Sequence, residues 1–132
     1  MPKSWTQKFR GAKPAHVVEL EKPFAGVAAG QRLFIPSPAL LAERIAALPR
    51  GARTDPVALR SELARTHGAD ATCPVTTAIH LRIVAEHALQ QIAAGTEPTP
   101  FWRAIPPESP VAKKLSCGPE FIRQKREAEA TK

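Results

Sequence analysis

Between Ser37 and Ala93 the apolar residues recur every three or four positions, the spacing that gathers them on one side of a helix. Ser37 followed by Pro38 marks a helix start, because the serine caps the first turn and the missing proline N–H costs nothing there. Leu40, Leu41, Ile45 and Leu48 then form one face, and Pro49-Arg50-Gly51 ends it. Asp55-Pro56 repeats the cap, with Leu59 and Leu63 as the buried face of a second helix that His67-Gly68 closes. After the short turn Gly68-Ala69-Asp70 comes the longest helical stretch, from about Pro74 to Ala93, with Val75, Ile79, Val84 and Leu89 among its apolar positions. On either side the pattern shortens. HVVELEKPF and QRLFIPS are brief apolar runs bounded by Gly and Pro and are predicted to be extended. GTEPTP reads as a turn, FWRAI as a short β-prone piece, and GPEFIRQKREAEATK as a final amphipathic helix with a frayed end.

A helix, a tight glycine-containing turn and a second helix form the helix-turn-helix pattern, although most paired helices are only packing units. The second helix would be the one that enters a DNA groove, with Thr76, Thr77, His80 and Arg82 near its exposed start. Charge points the same way. The 132 residues carry 19 Lys and Arg against 12 Asp and Glu, a net charge of +7, which suits a polyanionic partner. Part of this excess lies in residues 1 to 16, where Lys3, Lys8, Arg10 and Lys13 precede any acid. That segment is expected to be a flexible basic arm that either tracks phosphates or only solvates the protein, leaving residues 17 to 132 as one domain.

The remaining composition narrows the chemistry. Fourteen prolines and no tyrosine point to rigid turns. Cys73 and Cys117 form no CxxC pair, which argues against a zinc site or a disulfide framework and for a reducing, cytoplasmic setting. His80 and His87 lie seven apart with no HExxH, so neither a metal nor a cofactor is expected. No apolar run approaches the roughly 20 residues needed to cross a bilayer.

From Leu33 onward, the order of elements and the motif Pro100-Phe101-Trp102-Arg103-Ala104-Ile105 resemble the methylguanine-DNA methyltransferase superfamily, and within it the short alkyltransferase-like proteins. The resemblance implies a mainly α fold with short β segments, of winged-helix-like, helix-turn-helix type. It also implies a partner, double-stranded DNA containing alkylated guanine, with a DNA-repair protein to follow and the chain acting as a monomer. Family enzymes have a Pro-Cys-His-Arg-Val-Ile strand whose cysteine accepts an alkyl group from a flipped guanine. In this chain Phe101 stands at the cysteine's place and Trp102 at the histidine's, so transfer by the family's route is absent. Alkyltransferase-like proteins also lack the cysteine, usually having tryptophan there, so Phe101 departs from both patterns. The arginine that fills the hole left by the flipped base aligns with Cys73, and the tyrosine that presses on the target phosphate aligns near Pro56 or Val57. Arg103, the Cys117-Gly118 turn and Glu129 persist, and Glu129, without its histidine, is expected on the surface of the frayed helix.

Two sets of candidate residues follow. Pro100, Phe101, Trp102 and Arg103 either line a base pocket, with an aromatic face for stacking, or plug it, and the plug is favoured. Arg103 is then structural, bonding carbonyls of neighbouring loops. The DNA-binding candidates are Cys73, Thr76, Thr77, His80, Arg82, Lys8, Arg10 and Lys13. Three functions compete: non-catalytic recognition of alkylated guanine, general DNA binding with a filled pocket, and alkyl transfer to Cys73 or Cys117. In the last, Cys73 would use the helix macrodipole and His67 or His80 as base.

Overall fold

The computed structural model describes residues 4–130; Lys3 of the basic arm lies outside them. The protein is mainly helical, with one small sheet. In chain order the elements are α1 (Trp5–Gly11), β1 (His16–Glu19), β2 (Arg32–Ile35), α2 (Pro38–Ala46), α3 (Pro56–Thr66), β3 (Ala71–Thr72), α4 (Pro74–Ala93), a 3-10 turn (Phe101–Arg103), α5 (Pro110–Lys114) and α6 (Gly118–Ala130).

Cap and proline chemistry sets the helix starts. Ser37 accepts from the Leu40 N–H at 3.1 Å, Asp55 from Ala58 at 2.8 Å and Ser109 from Ala112 at 3.3 Å, each directly before a proline. The third start, α5, has the same signal as the others, but five residues are too few to show a period. At the end of α3, Gly68 takes the left-handed backbone (φ 66°) that reverses the chain toward α4.

The two apolar runs of the N-terminal half pair as antiparallel β1 and β2, and β3 joins β2 in parallel, with Leu33 opposite Ala71 and Phe34 opposite Thr72. A two-residue strand inside the α3–α4 connection is too short to predict from sequence. It seats α4 firmly, because the Cys73 N–H donates to the Phe34 carbonyl and the Arg32 N–H to the Asp70 carboxylate at 2.7 Å.

The core gathers Leu41 and Ile45 of α2, Leu59 and Leu63 of α3, Leu81, Val84, Ala85 and Ala88 of α4, and Ile122 of α6. Two expectations change here. FWRAI holds a 3-10 turn at Phe101–Arg103 and not a strand: its N–H groups bond back within the segment, Arg103 to the Pro100 carbonyl and Ala104 and Ile105 to that of Phe101. Its flanking prolines also remove the N–H groups a ladder would need. The basic arm, expected to be flexible, instead contains α1. The Ser4 hydroxyl accepts from the Gln7 N–H and the Gln7 side chain accepts from the Ser4 N–H, a complete capping box. Phe9 stacks on His87 of α4 with ring centroids 4.5 Å apart, and Thr6 donates to Gln90.

Candidate nucleic-acid interface

Phe101 is fully buried in the core cluster and stacks on Phe121 of α6 at 5.9 Å, while Trp102 meets Phe101 edge-on at 5.4 Å. The pair fills the space between the 3-10 turn and α6. Trp102 keeps one outward edge, which with Pro98, Pro100, Arg103 and Lys125 borders a cleft of about 400 Å³. The Lys125 ammonium lies 5.2 Å from the indole centroid.

Arg103 holds this region together. Its guanidinium donates to the Leu48 carbonyl at 2.9 Å and grips both oxygens of Glu129, the closest at 2.7 Å. Glu129 is therefore no surface residue: its side chain is 6% exposed, and it also accepts from the Gly51 N–H at 3.1 Å. The bidentate Arg103 hydrogen bonds pull its pKa down to about 2 against a smaller opposing effect of burial. The Trp102 indole N–H favours the same carboxylate but completes no hydrogen bond of normal geometry. Arg126 adds a 2.6 Å bond from Nε to the Trp102 carbonyl, and Arg50 one of 3.0 Å to the Ala128 carbonyl. The expected link from Arg103 to a neighbouring loop carbonyl is present, joined by the ion pair.

At the start of α4 the candidates separate by direction. Cys73 and Thr77 point inward. The Cys73 thiol caps the helix, accepting from the Thr76 N–H, and the Thr77 hydroxyl donates to the Cys73 carbonyl at 2.7 Å, with both side chains buried. Neither can touch a ligand in this arrangement. His80 is half-buried, with Nδ1 2.8 Å from the Pro36 carbonyl. Thr76 is partly exposed, and Val75 and Ile79, expected among the apolar positions, stand out in solvent at 50% and 56% exposure. The inward side of α4 is already supplied by Thr77, Leu81, Val84 and Ala88, which leaves these two outside.

Beside Ile79, the first turn of α1 and the end of α5 close a cleft of about 390 Å³. Ile79, Ile83 and Val111 form its apolar lining, Trp5 one wall, and Lys8, Arg82 and Lys114 are its charged members. The Lys8 ammonium sits 4.3 Å and the Arg82 guanidinium 5.2 Å from the Trp5 ring centroid. A second groove shares Ala78, Pro110 and Val111 with the first and extends to Val57 and Arg60, with Asp55 and Glu108 as its acidic members. Arg10 and Lys13 lie elsewhere, beside the start of α2. The structure thus brings Lys8 and Arg82 to one cleft, with Thr76 outside it, and leaves Arg10 and Lys13 beside another. It adds Trp5, Arg60 and Lys114, for which the one available signal was a tryptophan in a basic segment.

The two thiols have different environments. Cys117 is half-buried, and burial, then the nearby Glu86 carboxylate, raise its pKa and disfavour the thiolate. Glu86 is itself buried and accepts from the Ser116 N–H at 3.0 Å and from its hydroxyl. His67 stacks on Phe34 at 4.1 Å. Among the described residues no three potential metal ligands cluster, and no helix is long and apolar enough to cross a membrane. Comparison with protein-family models, with curated proteins and with solved structures finds no match.

Proposed function

We propose that this protein is a non-catalytic, alkyltransferase-like protein of winged-helix type that binds double-stranded DNA across the outer start of α4, with its base pocket filled. The observation that carries this reading is the cation-flanked face itself. Thr76 and Ile79 project from α4, with Lys8, Arg82 and Lys114 beside Ile79 on one side and, on the other, Arg60 in a groove that Asp55 and Glu108 also line. In such a face the cations hold phosphates and fix register, while the short apolar side chains allow close approach to a groove. Four phosphate contacts would release enough counterions to lower affinity roughly 100-fold between 50 and 200 mM salt.

Two further observations support the absence of catalysis. Phe101, which the resemblance aligns with the acceptor, is buried in the core, and the two cysteines are a buried helix cap and a half-buried thiol whose pKa is raised by burial and a nearby carboxylate. A second reading, recognition of alkylated guanine, draws support from the cleft at Trp102, where an indole edge, Pro100 and Lys125 meet.

Fluorescence anisotropy on matched duplexes with and without one alkylated guanine, at two salt concentrations, followed by intact mass, separates the readings. Equal, salt-sensitive binding at unchanged mass is the expected result. A lesion preference of tenfold or more moves the function to the Trp102 cleft. A mass increase establishes alkyl transfer, and no binding to either duplex removes DNA from the account.

A further inference from the structure

Duplex binding uses the cations at the start of α4 but leaves the interior of their cleft unused. Ile79, Ile83 and Val111 give it an apolar lining, the Trp5 indole stands as a wall, and no carboxylate borders it. The Nε of Arg82 is sheltered from solvent and has no hydrogen-bond partner. A phosphate alone would satisfy Lys8, Arg82 and Lys114 and leave the indole and isoleucines wet. An aliphatic chain would cover the apolar lining and leave three cations without a counterion. An unstacked nucleotide answers both needs, with a planar base for the indole and a phosphate for the cations.

We propose that this cleft receives one unpaired nucleotide, its base against Trp5 and its phosphate between Lys8, Arg82 and Lys114, so that the protein prefers duplex bearing a single-stranded tail. The proposal rests on the reading of α4 as a duplex-binding face. Its volume, about 390 Å³, suits one nucleotide and not a run of them. Trp5 is half-buried with Lys8 and Arg82 over its ring, and a base that stacks on it beside those cations increases affinity about tenfold or more. The wall is supplied by α1, which buries no residue of its own, so replacing Trp5 leaves the core intact.

The test compares a labelled blunt duplex with the same duplex carrying a four-thymidine tail, for the wild type and Trp5→Leu, and adds quenching of tryptophan emission by free (dT)4. Read against each protein's own blunt-duplex affinity, the tail is expected to raise affinity about tenfold in the wild type and not in Trp5→Leu, with (dT)4 quenching lost in the variant. Equal affinity for blunt and tailed DNA overturns the proposal. So does a tail gain that survives in Trp5→Leu, or quenching by a tetraglutamate peptide as strong as by (dT)4. Quenching by (dT)4 without binding to blunt duplex overturns the duplex reading and keeps the cleft; duplex binding without quenching does the reverse.

Discussion

Trp102 and Trp5 each have a lysine over the ring and an arginine nearby, yet the two regions have opposite characters. Around Trp102, Arg103 and Arg126 spend their donors on a carboxylate and on backbone carbonyls, and Phe101 and Phe121 pack the rings into the core. Around Trp5, Arg82 keeps a donor without a partner, and the lysines have the ring or solvent beside them. Aromatic and cationic residues side by side therefore do not mark a ligand site. Open apolar surface and cations with no carboxylate beside them separate a site from a brace.

The largest expected difference between the two regions is in stability. Phe101→Ala deletes a fully buried ring and should cost about 3 to 5 kcal/mol in urea unfolding, whereas Trp5→Leu on partly exposed α1 should stay within about 1 kcal/mol. Equal losses would place Trp5 in the core's energetics and erase the contrast.

The second difference is in pH. Glu129 has its pKa lowered to about 2 from the usual 4.5, so the ion pair's contribution is complete above about pH 4.5 and fades as pH falls toward 2. Glu129→Gln should be less stable than the wild type by about 2 to 3 kcal/mol at pH 7, with the gap closing near pH 2. A constant gap across that range would assign the effect to packing. The α1 region titrates elsewhere. Burial, then Arg10, lowers the His87 pKa below its usual 6.5, so docked α1 favours the neutral ring. Its contribution is complete above pH 6.5 and is lost as pH falls below that, read as faster amide exchange in residues 5–11 while the core stays protected. The smallest effect tests the shared frame: Ser109→Ala removes the α5 cap for about 1 kcal/mol without altering either tryptophan region.

Much of the helical frame was legible because its signals are local. Ser37-Pro38 and Asp55-Pro56 carry cap and proline in adjacent residues, and α4 shows a repeated period over twenty residues. Ser109-Pro110 was missed, since a five-residue helix offers no period to confirm its cap. The FWRAI turn was misread because its consecutive inward residues depend on α6, which arrives later in the chain. The direction of α4's side chains decided the site. Cys73 and Thr77 look available in sequence but are consumed by the helix's own first turn, while Val75 and Ile79 look like core. The Trp5 cleft was not readable, because residues 5, 82 and 114 meet only once α1 has docked. Glu129 was placed outside for a related reason, as its partners Arg103 and Gly51 lie 26 and 78 residues away.

That separation bears on how the protein is made. A ribosome releases Arg103 before the carboxylate that neutralises it, and the 48–54 loop earlier still, so the nascent chain presents four arginines, at 50, 53, 103 and 126, before the last turn of α6 emerges. The Phe101 and Trp102 side chains wait with them, since their cover on α6 comes out in the same final stretch. Vectorial synthesis can complete the α2–α4 core early, but it closes the brace only after α6 has emerged.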